Sequence, residues 1–284
     1  MDLLATRRTS SGTPAAPGDS PIARARPALE PNARLGARED LTPTVARFVV
    51  VPDDGVAPFQ PGQYFAVGLS VDGRPLLRPY STASPPGSVR QLEFLIRRVP
   101  DGAFTPRLWE LRVGDRLWIG RPKGLFTLRT GDPRTHLFVA TGTGLAPFVS
   151  MVETLLGYDA GWLPSGPAGT APAAPRAIVV HGVSHVAELA YRDRLERLAS
   201  SSAGVRYLPV VSRPSHPDNA GWGGLTGRLD AQLDAVCDTH RLDPAASVAY
   251  LCGNPEMIAT AEQILARRGF GPEAIVSEHY WPLA

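Results

Sequence analysis

The pattern of apolar residues changes at His136, and this change constrains the fold more than any other feature of the chain. After it, apolar runs typical of strands alternate with amphipathic stretches typical of helices, from HLFVA (136–140) to AIVSEHYW (274–281). Strands that alternate with helices predict a parallel, doubly wound sheet. We therefore expect an α/β domain over residues 133–284, interrupted by a flexible Gly/Pro/Ala-rich insert at 157–176.

Before this change the apolar runs are shorter, and turn residues separate them. Residues 41–128 contain the runs LTPTVARFVVVP, GQYFAVGLSV, LLRPYSTAS, QLEFLIRRV and DRLWIG, separated by turns rich in Gly, Asp and Pro. Closely spaced short strands with such turns predict an antiparallel barrel or sandwich. The expected organisation is an antiparallel β-barrel domain over residues 39–132, followed by the α/β domain.

Residues 1–38 are rich in Ala, Pro, Ser, Gly and Arg and show no periodic apolar pattern. We interpret them as a disordered tail. No apolar segment follows the pair Arg7-Arg8, which disfavours a twin-arginine signal. The acidic residues of the tail disfavour an organelle transit peptide.

Composition excludes several classes of function. The chain has 29 basic and 27 acidic residues, and outside the tail there is no basic excess, so nucleic acid is not expected as a partner. Two cysteines are too few for a disulfide framework, or for a zinc site or iron–sulfur cluster held by four thiolates, and no metal site is predicted. No apolar run approaches the ~20 residues of a transmembrane helix. We expect a cytoplasmic protein without a membrane partner.

Two Gly-containing turns follow strands of the α/β domain. In ATGTGLAPF, Gly142 and Gly144 precede a helix with Pro147 in its first turn, where free N–H groups suit a pyrophosphate. In CGNPEM, Gly253 and Asn254 leave another strand. Ligands of open α/β sheets bind at such strand ends. A tight turn and an Asn N-cap would explain the same residues without a ligand.

Two arginines further along the chain are candidates for phosphate recognition. Arg213 in VVSRPS comes just after a strand, and Arg228 follows in GGLTGRL. An Arg near the adenosine ribose accommodates a 2′-phosphate and so selects NADP over NAD. Each Arg has an alternative interpretation as a solvated surface residue.

The stretch RPYSTAS (78–84) places a cation, a ring and hydroxyls together in the β-rich half of the chain. It begins an ordered series of motifs: RPYS, QLEFLIRRVPDG, ATGTGLAPF, VHGVSHVAELAY, VSR with LTGR, YLCGNPEM and SEHYW. In this order and spacing, the chain from about Leu41 to Trp281 resembles the ferredoxin/flavodoxin–NADP reductase family, especially its bacterial branch. The resemblance implies an FAD-binding barrel, an NADP-binding α/β domain, and ferredoxin or flavodoxin as the partner.

The resemblance also assigns roles to residues. Arg78 pairs with the FAD pyrophosphate, Tyr80 lies against the isoalloxazine ring, and Ser81 donates a hydrogen bond near flavin N5. Tyr280 covers the other flavin face, and Trp281 covers the adenine. The remaining residues assigned to the two cofactors are Pro79, Phe94, Leu95, Ile96, Arg97, Ala103, Phe104, Thr105, Gly142, Thr143, Gly144, Ser184, Arg213, Arg228, Gly253 and Asn254.

The implied reaction passes hydride from NADPH to the flavin and then single electrons to the carrier. The residues expected to shape the hydride-transfer zone are Ser81, Cys252, Glu278 and Tyr280. Such carriers are usually acidic, so a basic rim would steer them. The candidates for this rim are Arg97, Arg98, Arg107, Arg121 and Lys123. A monomer is expected.

Two departures from the family pattern keep alternatives open. Ser184-His185 stands where bacterial relatives often carry an Arg for the 2′-phosphate, and Pro282–Ala284 extends the chain past the aromatic pair. His185 either substitutes for that Arg or is structural. An NADH-using reductase that serves an oxygenase or small acceptors is therefore a second hypothesis. A flavin-free scaffold with the Arg-rich tail as an interaction arm is a third.

Overall fold

A computed structural model describes residues 30–157 and 177–280 of the chain. Most of the predicted tail, almost all of the predicted insert and Trp281 lie outside these described residues. Two six-stranded sheets organise the described part, one antiparallel and one parallel. None of its helices is long and apolar enough to span a bilayer.

The antiparallel sheet forms the N-terminal domain. Its strands run in the spatial order β4-β3-β6-β1-β2-β5. The end of β4 meets β5 through the bridge between Thr82 and Phe94, so the sheet closes into a barrel. The elements of this domain are β1 (Ala33–Thr42), β2 (Val45–Pro52), β3 (Tyr64–Val71), β4 (Arg74–Ser81), β5 (Leu92–Arg97), α1 (Thr105–Glu110) and β6 (Arg116–Ile119).

The start of the barrel corrects the predicted length of the tail. Strand β1 begins at Ala33, so residues 33–38 belong to the barrel and not to a disordered tail. Only Ala33 and Leu35 of this strand are buried, and a register shift between Leu35 and Ala37 interrupts the alternation of faces. A mostly polar strand with a bulge lacks the period-2 apolar pattern by which strands are recognised.

The parallel sheet forms the second domain. Its strands lie in the order β10-β9-β8-β7-β11-β12, with every neighbouring pair parallel. Strands β7, β8 and β11 are buried along most of their lengths, as strands covered on both faces must be. The elements are β7 (Thr135–Thr141), α2 (Ala146–Leu155), β8 (Ala177–Val183), α3 (Arg192–Ser201), β9 (Val205–Val211), β10 (Leu225–Thr226), α4 (Leu229–Thr239), β11 (Ser247–Gly253), α5 (Pro255–Arg267) and β12 (Ile275–His279).

The order of the parallel strands fixes where a ligand can bind. From β7 the chain moves outward through β8 and β9 to β10, and then returns to place β11 on the other side of β7. The strand order therefore reverses between β7 and β11. Open α/β sheets bind their ligands at the carboxyl ends of the strands at such a reversal.

The two domains share an apolar core. Val45, Leu95 and Phe126 of the barrel pack in one cluster with Phe148 and Tyr250 of the α/β domain. The Phe126 ring lies edge-on to Tyr250, with centroids 6.2 Å apart, and 5.9 Å from the Phe148 ring. This shared core holds the end of β4 next to the carboxyl ends of β7, β11 and β12.

Candidate functional site

Two turns meet at the reversal point of the parallel sheet. Thr141 ends β7 and Gly253 ends β11, and the Thr141 Oγ1 accepts a hydrogen bond of 2.8 Å from the backbone N–H of Asn254. The Asn254 side chain in turn accepts from the N–H groups of Glu256 and Met257, so it caps α5. The predicted capping role of Asn254 therefore coexists with its position at the candidate site.

The two glycines of the first turn have different environments. A Cβ on Gly144 would lie 2.4 Å from the Cys252 carbonyl oxygen, so this glycine permits close packing of the turn on β11. Gly142 has a φ of +53°, and a Cβ there would meet only the Arg97 guanidinium, at 3.5 Å. Gly142 therefore faces the open side of the turn, whereas Gly144 faces the backbone of β11.

Replacement of Gly144 tests this difference. The Gly144→Ala variant should lose on the order of 3 kcal/mol of stability, because the new methyl group overlaps the backbone of β11. Thermal unfolding followed by circular dichroism measures the loss. Gly223→Ala is the matched control, since a Cβ there meets nothing within 4 Å. Equal melting temperatures for the two variants would contradict the packing role.

A buried histidine supports the carbonyl of Gly142. The His181 Nε2 lies 3.1 Å from the Gly142 oxygen, and its Nδ1 lies 3.2 Å from the Tyr207 hydroxyl. Burial lowers the pKa of His181 to about 4, so the ring is neutral at pH 7. A carbonyl only accepts, so Nε2 carries the proton and Nδ1 accepts from Tyr207. His181 therefore fixes the open side of the turn; the motif VHG contains it, but nothing in the sequence marked it as a contact.

Four residues predicted to shape the hydride-transfer zone come together between the domains. The Ser81 hydroxyl of β4 donates a 3.0 Å hydrogen bond to the Glu278 carboxylate of β12. Cys252 is the register partner of Glu278 in the parallel sheet and is fully buried. Burial, with smaller contributions from Cys252 and Glu278, raises the pKa of the Tyr280 hydroxyl well above its usual value. Burial likewise raises the pKa of the Cys252 thiol, which is neutral.

The environment of Glu278 gives a stability change with pH. Burial raises the pKa of this carboxyl, and the hydrogen bond from Ser81 opposes the rise only in part. A raised folded-state pKa means that the folded chain binds the proton more tightly, so stability falls as the pH rises from the ordinary value of 4.5 through the raised value. The Glu278→Gln variant lacks this loss. Its melting temperature should therefore increase relative to the parent as the pH rises from 4.5 to 8.

Thermal unfolding of the parent and the variant across that range tests the expectation. Glu110→Gln, at an exposed position of α1, is the control for removal of a carboxylate. A difference between parent and Glu278→Gln that stays constant with pH would show that Glu278 is not destabilised by burial.

The RPYS motif occupies the end of β4. Arg78 is half-buried, and among the described residues its guanidinium has no carboxylate partner and donates only to the neighbouring Leu77 oxygen. Tyr80 packs against Phe104 with ring centroids 5.9 Å apart, which brings two separately predicted motifs together. Pro79 lies between Arg78 and Tyr80 in the strand, so its side chain is on the opposite face, and it is exposed. A cation and an aromatic pair therefore lie on one side of β4.

The two other stretches predicted to bind FAD, residues 94–97 and 103–105, offer a ligand mainly backbone groups rather than side chains. Phe94, Leu95 and Ile96 are buried in apolar clusters, so only their backbone is available to a ligand. The only bridge between the end of β4 and β5 joins Thr82 to Phe94 in the described chain. Beyond Phe94, the edge of β5 that faces away from β2 therefore has no partner strand there. The Thr105 hydroxyl bonds both backbone groups of Val99 and so serves the loop rather than a ligand.

Arg97 forms an ion pair that the sequence did not predict. Its guanidinium, 45% exposed, pairs at 2.8 Å with Glu188 of the α/β domain instead of pointing outward. Burial raises the pKa of Glu188, but hydrogen bonds from Arg97, His185 and Ser184 outweigh it and hold the pKa below its usual value. Arg97 is therefore a bridge between the domains beside Gly142. The remaining predicted contacts at this edge are Ala103, which is exposed, and Thr143, which is half-buried in the Gly-rich turn.

The residues predicted for the 2′-phosphate follow three neighbouring strands: Ser184 comes after β8, Arg213 after β9 and Arg228 after β10. Asn219 is buried, and its side-chain amide donates to the carbonyls of Ser184 and Arg213. It therefore fastens the loop after β8 to the loop after β9. The Arg213 side chain is exposed and has no carboxylate partner in the described residues. Arg228 pairs with Asp230 at 3.1 Å, although it is 64% exposed.

Comparison with known proteins agrees with this geometry. The barrel, over residues 32–128, matches the oxidoreductase FAD-binding domain, and residues 138–263 match the oxidoreductase NAD-binding domain. A ferredoxin–NADP reductase from Azotobacter vinelandii is 35% identical over 226 residues, which cover 75% of this chain and 80% of the relative. The chain belongs to the ferredoxin/flavodoxin–NADP reductase family.

Solved structures show the same fold in other reductases. A cytochrome P450 reductase from Amycolatopsis superposes with a TM-score of 0.73 at 26% identity, covering 89% of this chain and 70% of that one. A ferredoxin NADP⁺ reductase from Neisseria gonorrhoeae with bound FAD and NADP gives a TM-score of 0.70 at 24% identity, covering 88% and 98%. This reductase is thus an oxidoreductase with an FAD-binding barrel and a nicotinamide-nucleotide domain.

The residues of this reductase fit both cofactors. The free guanidinium of Arg78, the Tyr80–Phe104 aromatic pair and the unpaired edge of β5 supply charge, stacking surface and backbone donors for FAD. The open face of Gly142 lies at the strand reversal where a nucleotide pyrophosphate would bind.

Proposed function

We propose that this reductase passes hydride from NADPH to FAD and then single electrons to ferredoxin or flavodoxin. The observation that carries the proposal is the hydrogen bond between Ser81 of the barrel and Glu278 of the α/β domain, beside Cys252 and Tyr280. It joins the FAD-binding and nucleotide-binding domains at the point where two stacked rings would meet. The proposal includes a monomeric, cytoplasmic enzyme.

The bound flavin supplies the redox chemistry, accepting hydride and releasing electrons one at a time. The chain positions the reactants and excludes water. Tyr280, at the end of β12, packs on the interdomain core and fills the zone between Ser81 and Cys252. Tyr280 would have to move aside to admit a nicotinamide ring. The neutral Cys252 thiol and the Ser81 hydroxyl then border the reacting atoms, where a short, aligned approach dominates the rate.

The two predicted phosphate ligands differ in their availability. Arg213 has no carboxylate partner among the described residues, so its full charge is available to a 2′-phosphate. The Arg228 charge is partly neutralised by Asp230. We therefore assign the larger share of NADPH recognition to Arg213, with Ser184 beside it on the fastened loop.

The second candidate is an NADH-using reductase that delivers electrons to an oxygenase. Ser184-His185 in place of an Arg favours it, and the structurally similar Amycolatopsis protein is a cytochrome P450 reductase. It shares the barrel, the Gly-rich turn and the Ser81–Glu278 contact with the first proposal. The nucleotide preference therefore separates the two.

An acidic carrier would dock where positive charge remains exposed near the barrel. Of the predicted rim, Arg97 is paired with Glu188, whereas Arg107 is exposed and donates to the Ala103 oxygen, which leaves its charge unneutralised within the described part of the chain. Arg121 and Lys123 are exposed on the loop after β6, next to Leu125, which is 96% exposed. An apolar residue flanked by cations suits an acidic redox protein. We assign the docking site to this loop.

Anaerobic titration of the purified protein with NADPH and NADH tests the function. The flavin absorbance should bleach at a lower NADPH than NADH concentration, and the reduced protein should then reduce ferredoxin more slowly as salt increases. Arg213→Ala should weaken NADPH binding on the order of 10- to 100-fold and leave NADH unchanged, since one charge-assisted contact is lost. Arg228→Ala should have a smaller effect.

Arg206→Ala is the matched control, because Arg206 is an exposed arginine near the opposite end of β9. Equal bleaching by NADPH and NADH would contradict the NADPH preference and favour the NADH-using reductase. Protein that stays colourless after addition of FAD would exclude both.

A further inference from the structure

The two loops fastened by Asn219 bring together three metal-binding side chains that the proposed reaction does not use. His185 follows β8, whereas His216 and Asp218 follow β9. One potential ligand atom from each of the three residues lies within 4.8 Å of those of the other two. The imidazole rings of His185 and His216 meet edge to face, with centroids 4.6 Å apart. We propose that these residues form a binding site for a divalent transition-metal ion of the zinc type.

His216 and Asp218 already have the geometry of a chelate. The His216 Nδ1 lies 3.6 Å from the Asp218 Oδ2, close to the separation of roughly 3.3 Å between two ligands of a tetrahedral zinc ion, given bonds of about 2.0 Å. Nδ1 also accepts a long, weak hydrogen bond of 3.3 Å from the Asp218 N–H. A metal ion replaces that contact. The His185 ligand atom lies within 4.8 Å of the other two, so a movement of its ring toward them would complete a three-ligand site.

The site is held in place by the surrounding backbone. Asn219 is 1% exposed; its Oδ1 accepts from the Val186 N–H at 2.8 Å and its Nδ2 donates to the Arg213 oxygen at 2.7 Å. These hydrogen bonds hold the loop that contains Val186 in a fixed position relative to the loop that contains Asn219. Because His185 precedes Val186 and Asp218 precedes Asn219, the ligands are organised before a metal binds, which lowers the entropic cost of binding.

The chemistry of the ligands selects the metal. Two imidazole nitrogens and one carboxylate suit Zn²⁺, Cu²⁺, Ni²⁺ and Co²⁺, whereas Mg²⁺ and Ca²⁺ require oxygen ligands. Three protein ligands leave a fourth position for water. The Nδ1 atom of His185 is buried and has no hydrogen-bond partner among the described residues, so this nitrogen is available to a metal ion.

Calorimetric titration of the full-length, FAD-loaded, untagged and chelator-treated protein with Zn²⁺ tests the site in the absence of nucleotide. One Zn²⁺ should bind per chain, and Mg²⁺ at the same concentration should not. Asp218→Asn and His216→Gln should each weaken Zn²⁺ binding by on the order of 10-fold or more. Both positions are exposed, so the variants are expected to fold. His240→Gln, at the end of α4, is the control for nonspecific binding to histidine.

Binding of Zn²⁺ that is unchanged in both ligand variants, or that is lost equally in His240→Gln, would overturn the proposal. So would the absence of Zn²⁺ binding to the parent protein. Because no nucleotide is present, none of these results depends on whether the protein uses NADPH, NADH or neither.

Discussion

The Arg78→Ala variant should purify almost free of FAD. Arg78 is a half-buried cation without a carboxylate partner in the described chain, beside the aromatic pair of Tyr80 and Phe104. Its guanidinium is therefore available to the FAD pyrophosphate, where charge-assisted hydrogen bonds contribute about 1.5–3 kcal/mol each. The loss of about 3 kcal/mol weakens FAD binding roughly 100-fold, since each 1.4 kcal/mol is tenfold. The ratio of flavin absorbance to protein absorbance measures the occupancy.

Two further variants make this result specific. Arg74→Ala removes an exposed arginine from the start of the same strand and should retain FAD. Arg78→Lys keeps the charge but loses the bidentate geometry, so its occupancy should lie between those of the parent and Arg78→Ala. Full FAD occupancy in the purified Arg78→Ala variant would show that Arg78 does not contribute to FAD binding.

Removal of the Ser81 hydroxyl should slow hydride transfer on the order of 100-fold. The hydroxyl donates to Glu278 at 3.0 Å and joins the two domains next to the predicted reacting atoms. Without it, the Glu278 carboxylate loses the donor that opposes the rise in its pKa, and the contact between β4 and β12 that would set the approach of nicotinamide to flavin is lost. A displacement of about 1 Å is enough for a 10²-fold loss of rate. Stopped-flow measurement of flavin bleaching by NADPH in Ser81→Ala gives the rate.

A positioning role predicts a distinct pattern across variants. Ser81→Thr retains the hydroxyl and should recover most of the rate. The NADPH concentration at half-saturation should stay close to that of the parent, because the nucleotide is held by residues remote from Ser81. A change in half-saturation with an unchanged limiting rate would show that Ser81 acts in binding and not in the transfer step.

The sequence predicted the two architectures because their apolar periodicities differ so clearly. Strands β5, β7, β8 and β11 coincide with apolar runs of the sequence, and the Gly-containing turns come after β7 and β11 as expected. The prediction failed at β1, where polar residues and a bulge obscure the strand pattern, and at α1, where TPRLWE forms a helix in a region expected to contain only short strands and turns. Helix α1 has only six residues and β1 has only two buried side chains, so neither has a clear apolar period. Contacts with the rest of the barrel determine their structure.

The motifs identified the candidate site, but they did not show which atoms contact one another. Ser81 and Glu278 are 197 residues apart, and only the shared interdomain core brings them into contact. Arg97 was predicted to contact FAD, and nothing in the sequence indicated that its guanidinium also pairs with Glu188 of the other domain. His185 and His216 come together because β8 and β9 are neighbours, a fact of strand order that spacing along the chain does not reveal.

The continuous core between the domains limits how the protein can be recombined with its relatives. Val45, Ala83, Leu95, Phe126 and Leu128 of the barrel are buried in one apolar cluster with residues of the α/β domain. A chimaera that exchanges the nucleotide domain would therefore have to match the surface around Phe148 and Tyr250. Grafts that transfer the 121–129 segment together with the nucleotide domain should yield more folded protein than grafts joined at residue 120.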